Sequence, residues 1–130
     1  MTEIQALLLI KSILESADIH GIENILAEDC EYMSTGRGII GRNRNESIEF
    51  LSSMTESIKA DNVPVTCKVM HITDVYEEDA LFHEGRHGLT VSYESGDNYV
   101  YMIFVDVNDE GLVDRIVSSQ ENYSIEYDDL

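Results

Sequence analysis

Positions 83–87 read HEGRH and match the H-E-x-x-H signature of zinc proteases. That chemistry needs both imidazoles on one face of a helix, one turn apart, with the glutamate beside the metal. The glycines and the alternating residues around this segment are typical of a strand instead. On a strand, His83 and His87 lie roughly 13 Å apart, too far to share one zinc ion at bond lengths of about 2 Å. We therefore expect neither a metal site nor a cofactor.

Three of the eight lysine and arginine residues, Arg37, Arg42 and Arg44, fall within one short glycine-containing stretch. They precede a predicted helix whose N-terminus is already positive, so the helix dipole gives them no stabilisation there. One interpretation is an anion-binding site at the mouth of a pocket. The alternatives are local balance of an acidic surface and salt bridges across a dimer. The sequence contains neither a glycine-rich phosphate loop nor a G-x-S-x-G nucleophile motif.

The chain is strongly acidic, with 26 acidic residues against 8 basic ones and a formal net charge of −18. An acidic surface repels phosphate backbones and anionic lipids, so we expect no nucleic acid and no membrane as partner. The apolar run at positions 6–10 ends at Lys11 and is too short for an export signal or a membrane span. Cys30 and Cys67 are accordingly predicted to be reduced, buried thiols of a cytoplasmic protein.

Three helices are predicted in the N-terminal half of what we expect to be a single domain of 130 residues. Thr2 and Gln5 have the spacing of a capping box, and the apolar residues after them follow a helical period to about position 17. Asp18 is a candidate N-cap for a second, shorter helix that reaches position 26. A third helix is predicted from Asn43 or Asn45 to about position 60.

The other segments have the two-residue alternation and the turn residues of strands. A glycine-rich hairpin ends at Gly41, and Pro64 marks the entry to a long strand. Short turns between long strands indicate an antiparallel meander. The predicted class is therefore α+β, a cone-shaped, barrel-like fold with three N-terminal helices packed on one face of a curved, mostly antiparallel sheet. The predicted strands span 30–35, 64–76, 80–93, 99–107 and 112–123, and an acidic tail at 124–130 is expected to be frayed.

The strand at 99–107 is apolar on both faces, because Tyr101 and Ile103 alternate with Met102 and Phe104. In a domain with one sheet the helices cover only one face, so the other apolar face needs a different cover. The pattern therefore predicts a homodimer formed through the outer face of the sheet.

Positions 21–30, GIENILAEDC, and the order of the elements resemble the nuclear-transport-factor-2-like (NTF2-like) superfamily, which includes the polyketide-cyclase (SnoaL-like) proteins and the ketosteroid isomerases. Its members have a helix, an Ala-Asp-Asp-type turn, a strand, a Gly-Arg hairpin end, and a helix with Ile and Phe near its start. Extra residues within 43–47 depart from that pattern. The resemblance extends over nearly the whole chain and implies a cystatin-like fold. The matching residues are Ala27, Glu28, Asp29, Gly41, Arg42, Ile48 and Phe50.

The reaction of the ketosteroid isomerases can be compared with this sequence residue by residue. It uses an aspartate base and an oxyanion hole made of a tyrosine and a protonated aspartate. Alignment on the Ala-Glu-Asp segment and on the turn at 108–111 places Ser34, Ile10 and Ile103 at those three positions. Because all three catalytic residues differ, we do not expect that reaction.

The resemblance also implies which side chains face a pocket, since positions 90–94 resemble the isomerase strand whose inward residues line it. His87 would be the only good general base there near neutral pH, and its alternative is a hydrogen-bonded core or interface histidine. An apolar pocket with a few polar groups is the usual form of a small-molecule site. The residues predicted to line it are Tyr32, Ser34, His83, His87, Leu89, Val91, Tyr93, Tyr101, Ile103, Ile116, Ser118 and Gln120.

Three hypotheses for function follow from these observations. The first is a dimer that binds a small hydrophobic molecule in its cone without an established reaction. The second is a SnoaL-like isomerase, cyclase or dehydratase acting on a hydrophobic substrate, with His87 as base and Tyr32, Tyr93 or Tyr101 as proton donor. The third is an interaction module whose outer sheet face binds another protein.

Overall fold

The computed structural model describes residues 1–62, 64–74, 86–93, 101–119 and 124–127. Two helices, α1 (Glu3–Ser16) and α2 (Arg44–Asp61), pack on a seven-stranded sheet. The α+β class predicted from the sequence is confirmed. The strands are β1 (Leu26–Ser34), β2 (Gly38–Gly41), β3 (Val65–Asp74), β4 (His87–Tyr93), β5 (Tyr101–Val107), β6 (Val113–Ser119) and β7 (Ser124–Tyr127).

The strand order in the sheet is β2-β1-β6-β5-β4-β3-β7. Neighbouring strands are antiparallel, as predicted, except that β1 and β6 are parallel. Helix α1 packs over β3, β4 and β5, whereas α2 packs over β1 and β2. The two helices therefore cover different halves of the same sheet face, and this division determines where space is left between helix and sheet.

Both helices begin where the capping residues predict. The Thr2 hydroxyl accepts a 3.2 Å hydrogen bond from the backbone N–H of Gln5, whose side-chain oxygen accepts one of 2.9 Å from the N–H of Thr2. The Asn43 side chain accepts a 2.9 Å bond from the N–H of Glu46 at the start of α2. These bonds satisfy amide donors that a helix leaves without a partner in its first turn.

The second of the three predicted helices does not form, and two helices are present in the described part of the chain. Asp18 accepts a 3.0 Å bond from the N–H of His20, but only the single 3₁₀ turn Ile22–Asn24 follows. The N–H of Val113 then donates a 2.8 Å bond to the carbonyl oxygen of Ile25, and Leu26 pairs with Val113 in the parallel ladder. Pairing with a distant strand thus overrides the local helical spacing of these isoleucines.

The segment Ala27-Glu28-Asp29, predicted as a turn, lies inside β1. The register between β1 and β6 shifts between positions 26 and 31, so Glu28 and Asp29 are both exposed. A local irregularity in the ladder therefore turns two successive acidic residues to solvent without ending the strand. The predicted frayed tail is also corrected in part, because Ser124–Tyr127 pairs with β3 as an edge strand.

The outer face of β5 is already buried within one chain. Met102 and Phe104 are 0% exposed, and Val117 beside them is 3% exposed. The apolar character of this face therefore does not by itself require a second chain, and the homodimer remains a prediction. No helix in the described ranges is long and apolar enough to cross a membrane.

Candidate ligand-binding cavity

A cavity of about 440 Å³ lies between α2 and the sheet, where β1 turns into β2. Its walls combine three aromatic rings and a methionine with hydroxyl groups and one arginine. The lining residues are Tyr32, Ser34, Thr35, Gly36, Arg37, Phe50, Met54, Tyr101 and Ser118.

The floor of the cavity is formed by three neighbouring strands whose register brings polar side chains together. Ser34 of β1 pairs with Ser118 of β6, which in turn pairs with Ile103 of β5. Tyr101 precedes Ile103 by two residues and so faces the same side of the sheet. The parallel β1–β6 pair is what places the two serines side by side.

The roof is provided by one face of α2. Phe50 and Met54 are four residues apart, so both side chains point towards β1. The ring centroids of Phe50 and Tyr32 lie 4.5 Å apart with an interplanar angle of 44°. The Tyr32 hydroxyl also lies 3.6 Å from the Met54 sulfur. Tyr32 is therefore held between floor and roof.

Burial raises the pKa of the Tyr32 hydroxyl from 10.0 to about 12, and a hydrogen bond with the Ser118 side chain acts in the opposite direction. The cause is that the phenolate would lose its hydration at a fully buried position. Tyr32 therefore stays neutral at physiological pH and does not act as a base. Its single O–H is directed at the Met54 sulfur, a weak acceptor, which a ligand oxygen would have to replace.

The mouth of the cavity is the turn that connects β1 and β2. The N–H of Arg37 donates a 3.1 Å hydrogen bond to the carbonyl oxygen of Ser34, which closes the turn. Gly36 and Gly38, on either side of Arg37, have φ values of 89° and 84° that side chains rarely allow. The exposed Arg37 is thus presented at the edge of the cavity by a turn that requires glycine at both neighbours.

Four of the residues predicted to line the pocket, Tyr32, Ser34, Tyr101 and Ser118, line this cavity. Four others face the same side of the sheet and belong to the hydrophobic core, but they are not among the residues that line the cavity. His83 and Gln120 lie outside the described residues, and the side chain of Tyr93 is not described. The four core residues are Leu89, Val91, Ile103 and Ile116.

His87 lies at the other end of β4 from the cavity. Val91 pairs with the cavity residue Tyr101, and His87 is four residues further along, roughly 13 Å away. Its backbone N–H donates a 2.9 Å bond to the Glu3 carboxylate, and its ring Nδ1 lies 4.0 Å from the same carboxylate oxygen. Its ring centroid lies 5.2 Å from that of His71. The structure therefore removes His87 from the cavity, and its place beside the start of α1 fits the alternative of a hydrogen-bonded histidine.

The three arginines predicted as an anion site are not brought together at the cavity. Arg37 lines it, whereas Arg42 is exposed and its backbone N–H donates a 3.0 Å bond to the Glu46 carboxylate. Arg44 lines a separate depression of about 220 Å³ with Glu28 and two asparagines. Within the described residues, no three His, Cys, Asp or Glu side chains are placed to hold a metal ion.

Phe50 and Met54 line the cavity but are not among the residues that the sequence predicts for it. Both follow the apolar stripe of α2, and a residue on such a stripe is normally assigned to the core. Their spacing of four residues places both side chains on one face of α2, opposite the strand that carries Tyr32 and Ser34. That pattern could have indicated that they line the cavity. Only the packing of the helix on the sheet reveals that they stop short of filling the space.

The structure is similar to solved structures that share this architecture. An uncharacterised protein with a cystatin-like fold from Silicibacter pomeroyi is 14% identical with a TM-score of 0.60, over 94% of this chain and 78% of the other. An NTF2-like protein of unknown function from Mesorhizobium loti is 13% identical with a TM-score of 0.58, over 94% and 96%. The chain has the NTF2-like, cystatin-like fold.

A third structure is a SnoaL-like family protein from Agrobacterium tumefaciens, proposed to be an isomerase. It is 14% identical with a TM-score of 0.52, over 94% of this chain and 100% of the other. No protein-family model and no curated protein sequence matches the chain. The similarity therefore concerns the NTF2-like fold, which is the fold that the resemblance of positions 21–30 implied.

Proposed function

We propose that this NTF2-like domain binds a small molecule with a flat apolar body and one hydrogen-bonding oxygen in the cavity under α2. The observation that carries the proposal is the position of Tyr32, which is buried at the floor, in tilted contact with the Phe50 ring and neutral at physiological pH. The volume of about 440 Å³ is within the roughly 300–1,000 Å³ typical of small-molecule sites. The three aromatic rings suit the apolar body of such a ligand, and the two serine hydroxyls suit its oxygen.

Binding without a reaction is favoured over a SnoaL-like isomerase, cyclase or dehydratase. Among the described residues that line the cavity, none is Asp, Glu or His. Proton abstraction near neutral pH needs such a base within hydrogen-bond reach of the substrate. Tyr32 and Tyr101 can donate a hydrogen bond, which orients a ligand but does not complete an acid–base pair.

The proposal extends to a cytoplasmic protein that forms a homodimer through the outer sheet face. What supports the dimer is the two-sided apolar pattern of β5, in which Met102 and Phe104 alternate with Tyr101 and Ile103. Against it stands the burial of Met102 and Phe104 within one chain. The mass of the protein in solution, measured by light scattering, decides between 14.7 kDa and twice that value.

The test of ligand binding uses 2-naphthol, a neutral aromatic ring system with one hydroxyl. At ten times its Kd a ligand stabilises the fold by about 1.4 kcal/mol, which raises the Tm of a chain of this size by roughly 3–6 °C. Ser118→Leu fills part of the cavity and should abolish that rise. Ser53→Leu places the same change on the exposed face of α2 and should leave it intact.

The Tyr32→Phe variant tests the role of the hydroxyl. A neutral hydrogen bond contributes about 1 kcal/mol, so the affinity for 2-naphthol should fall roughly 5-fold while the fold is kept. Equal Tm rises in wild type and Ser118→Leu would place the ligand elsewhere, and the absence of any rise with 2-naphthol and related phenols would reject the cavity as their site.

A further inference from the structure

We infer that the natural ligand carries a carboxylate and that Arg37 binds this group at the mouth of the cavity. The inference rests on the proposed small-molecule binding and adds the chemical class of the ligand, an aromatic or similarly apolar carboxylic acid. Its apolar body would lie beside the Phe50–Tyr32 contact, against Met54 and Tyr101, and its charged end would point out of the cavity towards the β1–β2 turn.

Arg37 is the one cationic residue among the described residues that line the cavity. Its side chain forms no hydrogen bond and no ion pair with any other described residue. Arg86 and Arg115, in contrast, both lie within 4.0 Å of the Asp106 carboxylate. Among the described residues Arg37 thus has no acidic partner, and at the cavity edge its donors are available to a ligand.

The backbone conformation of the β1–β2 turn holds Arg37 at the mouth of the cavity. The turn closes through the bond from the Arg37 N–H to Ser34, and the flanking glycines hold left-handed conformations. A Cβ at Gly36 or Gly38 would meet no atom within 4 Å, so crowding does not explain these glycines. The turn geometry itself requires them, and that geometry places Arg37 at the cavity mouth.

Electrostatics also favours a single local cation. The net charge of −18 repels an approaching anion over the whole surface. A carboxylate therefore binds only where a positive group offsets this field at short range. Arginine can do so through two parallel hydrogen bonds, for which its guanidinium fork is shaped. A neutral ligand of the same shape lacks this charge pairing and gains less from Arg37.

The experiment compares 2-naphthoate with 2-naphthamide, which share the ring system and differ in charge, by fluorescence titration. Wild type should bind the carboxylate roughly 10-fold more tightly than the amide, a ratio that corresponds to one charge-assisted interaction. Arg37→Gln should remove that preference, because it weakens binding of the carboxylate much more than binding of the amide. Arg42→Gln removes one positive charge at a position outside the cavity and should keep the preference.

Equal affinity of wild type for the two compounds would overturn the carboxylate inference while leaving the proposed binding function intact. An equal loss of preference in Arg37→Gln and Arg42→Gln would also overturn it, because the effect would then be one of net charge. If neither compound binds and 2-naphthol also fails, the proposed function falls and the inference falls with it. Inorganic phosphate and phenyl phosphate serve as further probes, and tighter binding of either than of 2-naphthoate would reject a carboxylate as the preferred anion.

Discussion

The ring of Phe50 on α2 lies 4.5 Å from the ring of Tyr32 on β1, and this contact joins the roof of the cavity to its floor. The two residues belong to different layers of the domain, and their contact limits the depth of the space between them. Phe50 is partly exposed, whereas Tyr32 is fully buried. Phe50 is therefore the side chain whose size sets how large a ligand the cavity accepts.

Phe50→Ala should enlarge the cavity at a moderate cost in stability. Removal of a partly buried ring should lower the free energy of unfolding by about 1–3 kcal/mol, less than the roughly 3–5 kcal/mol for a fully buried one. The variant should accept a larger aromatic phenol, such as a pyrenol, that wild type rejects. Urea denaturation and fluorescence titration measure the two effects. Unchanged ligand size selection would show that Phe50 does not limit the cavity.

A second prediction concerns Ser47, which fixes the start of α2 against β1. Its buried hydroxyl donates a 2.9 Å hydrogen bond to the carbonyl oxygen of Cys30. Ser47→Ala leaves that buried carbonyl with one bond fewer and should lower the free energy of unfolding by about 1–2 kcal/mol. Ser53→Ala, on the exposed face of the same helix, is the matched control and should change it by less than about 0.5 kcal/mol. Equal effects of the two substitutions would contradict the prediction.

The close approach of Gly41 to the same helix start gives a third prediction. A Cβ at Gly41 would lie 2.9 Å from the backbone nitrogen and 3.0 Å from the hydroxyl oxygen of Ser47. Gly41→Ala must therefore push β2 and α2 apart and should cost about 1–3 kcal/mol. Because the backbone nitrogen stays in place, combining it with Ser47→Ala should not restore stability. Chemical denaturation of both variants checks this, and full recovery in the double variant would refute it.

Several features of the fold could be predicted from local sequence, because their causes are local. The capping residues Thr2 and Asn43 fix both helix starts, and Pro64 correctly precedes β3. The missing helix after Asp18 has a non-local cause, the pairing of Leu26 with Val113, which no local pattern contains.

The position of the cavity illustrates the same limit. Strand alternation correctly places Val91, Ile103 and Ser118 on one face, but it does not say how far along each strand the helices reach. Since α1 covers β3 to β5, Val91 and Ile103 are buried beneath it, whereas the cavity beside α2 reaches Ser118. Helix packing across the sheet, which depends on all the side chains together, decides which inward residues meet a ligand.

Alkaline pH should destabilise the fold, and three buried groups determine the range. Burial raises the pKa of the Cys30 and Cys67 thiols from 9.0 to about 12, and that of Tyr32 from 10.0 to about 12. All three are neutral when protonated. Their contribution to the free energy of unfolding is therefore fully present below pH 9. It is lost as the pH rises from 9 towards 12, because these groups ionise in the unfolded chain before they ionise in the folded one.

The expected loss at pH 10.5 is roughly 2 kcal/mol for each thiol, because each pH unit above the unfolded pKa contributes about 1.4 kcal/mol. Urea denaturation at pH 8 and pH 10.5 measures the drop in wild type and in a Cys30→Ala, Cys67→Ala double variant. The double variant should be less stable than wild type at pH 8, but its free energy of unfolding should fall by less than that of wild type between pH 8 and pH 10.5. If it loses as much as wild type, the thiols are not the cause.

The last prediction concerns Arg86, which belongs to the HEGRH segment but has a structural role. Its guanidinium donates bonds of 2.6 Å to the carbonyl oxygen of Val105 and 3.0 Å to the Asp106 carboxylate. The guanidinium carbon lies 5.8 Å from the centre of the Phe104 ring. A guanidinium nitrogen also lies 3.9 Å from a carboxylate oxygen of Glu3 in α1. Arg86 thus ties the start of β4 to β5 and to the first turn of α1.

Arg86→Met keeps the apolar stem but removes these bonds, and it should lower the free energy of unfolding by about 2–3 kcal/mol. Arg86→Lys keeps the charge without the planar fork, and its free energy of unfolding should lie between those of Arg86→Met and wild type. Arg42→Met, at an exposed position, is the control and should change stability by less than about 0.5 kcal/mol. A fully stable Arg86→Met would mean that the segment has no structural role at this end of the sheet. The expected order, with 2-naphthol affinity unchanged in all three variants, would show that it stabilises the domain without contributing to the cavity.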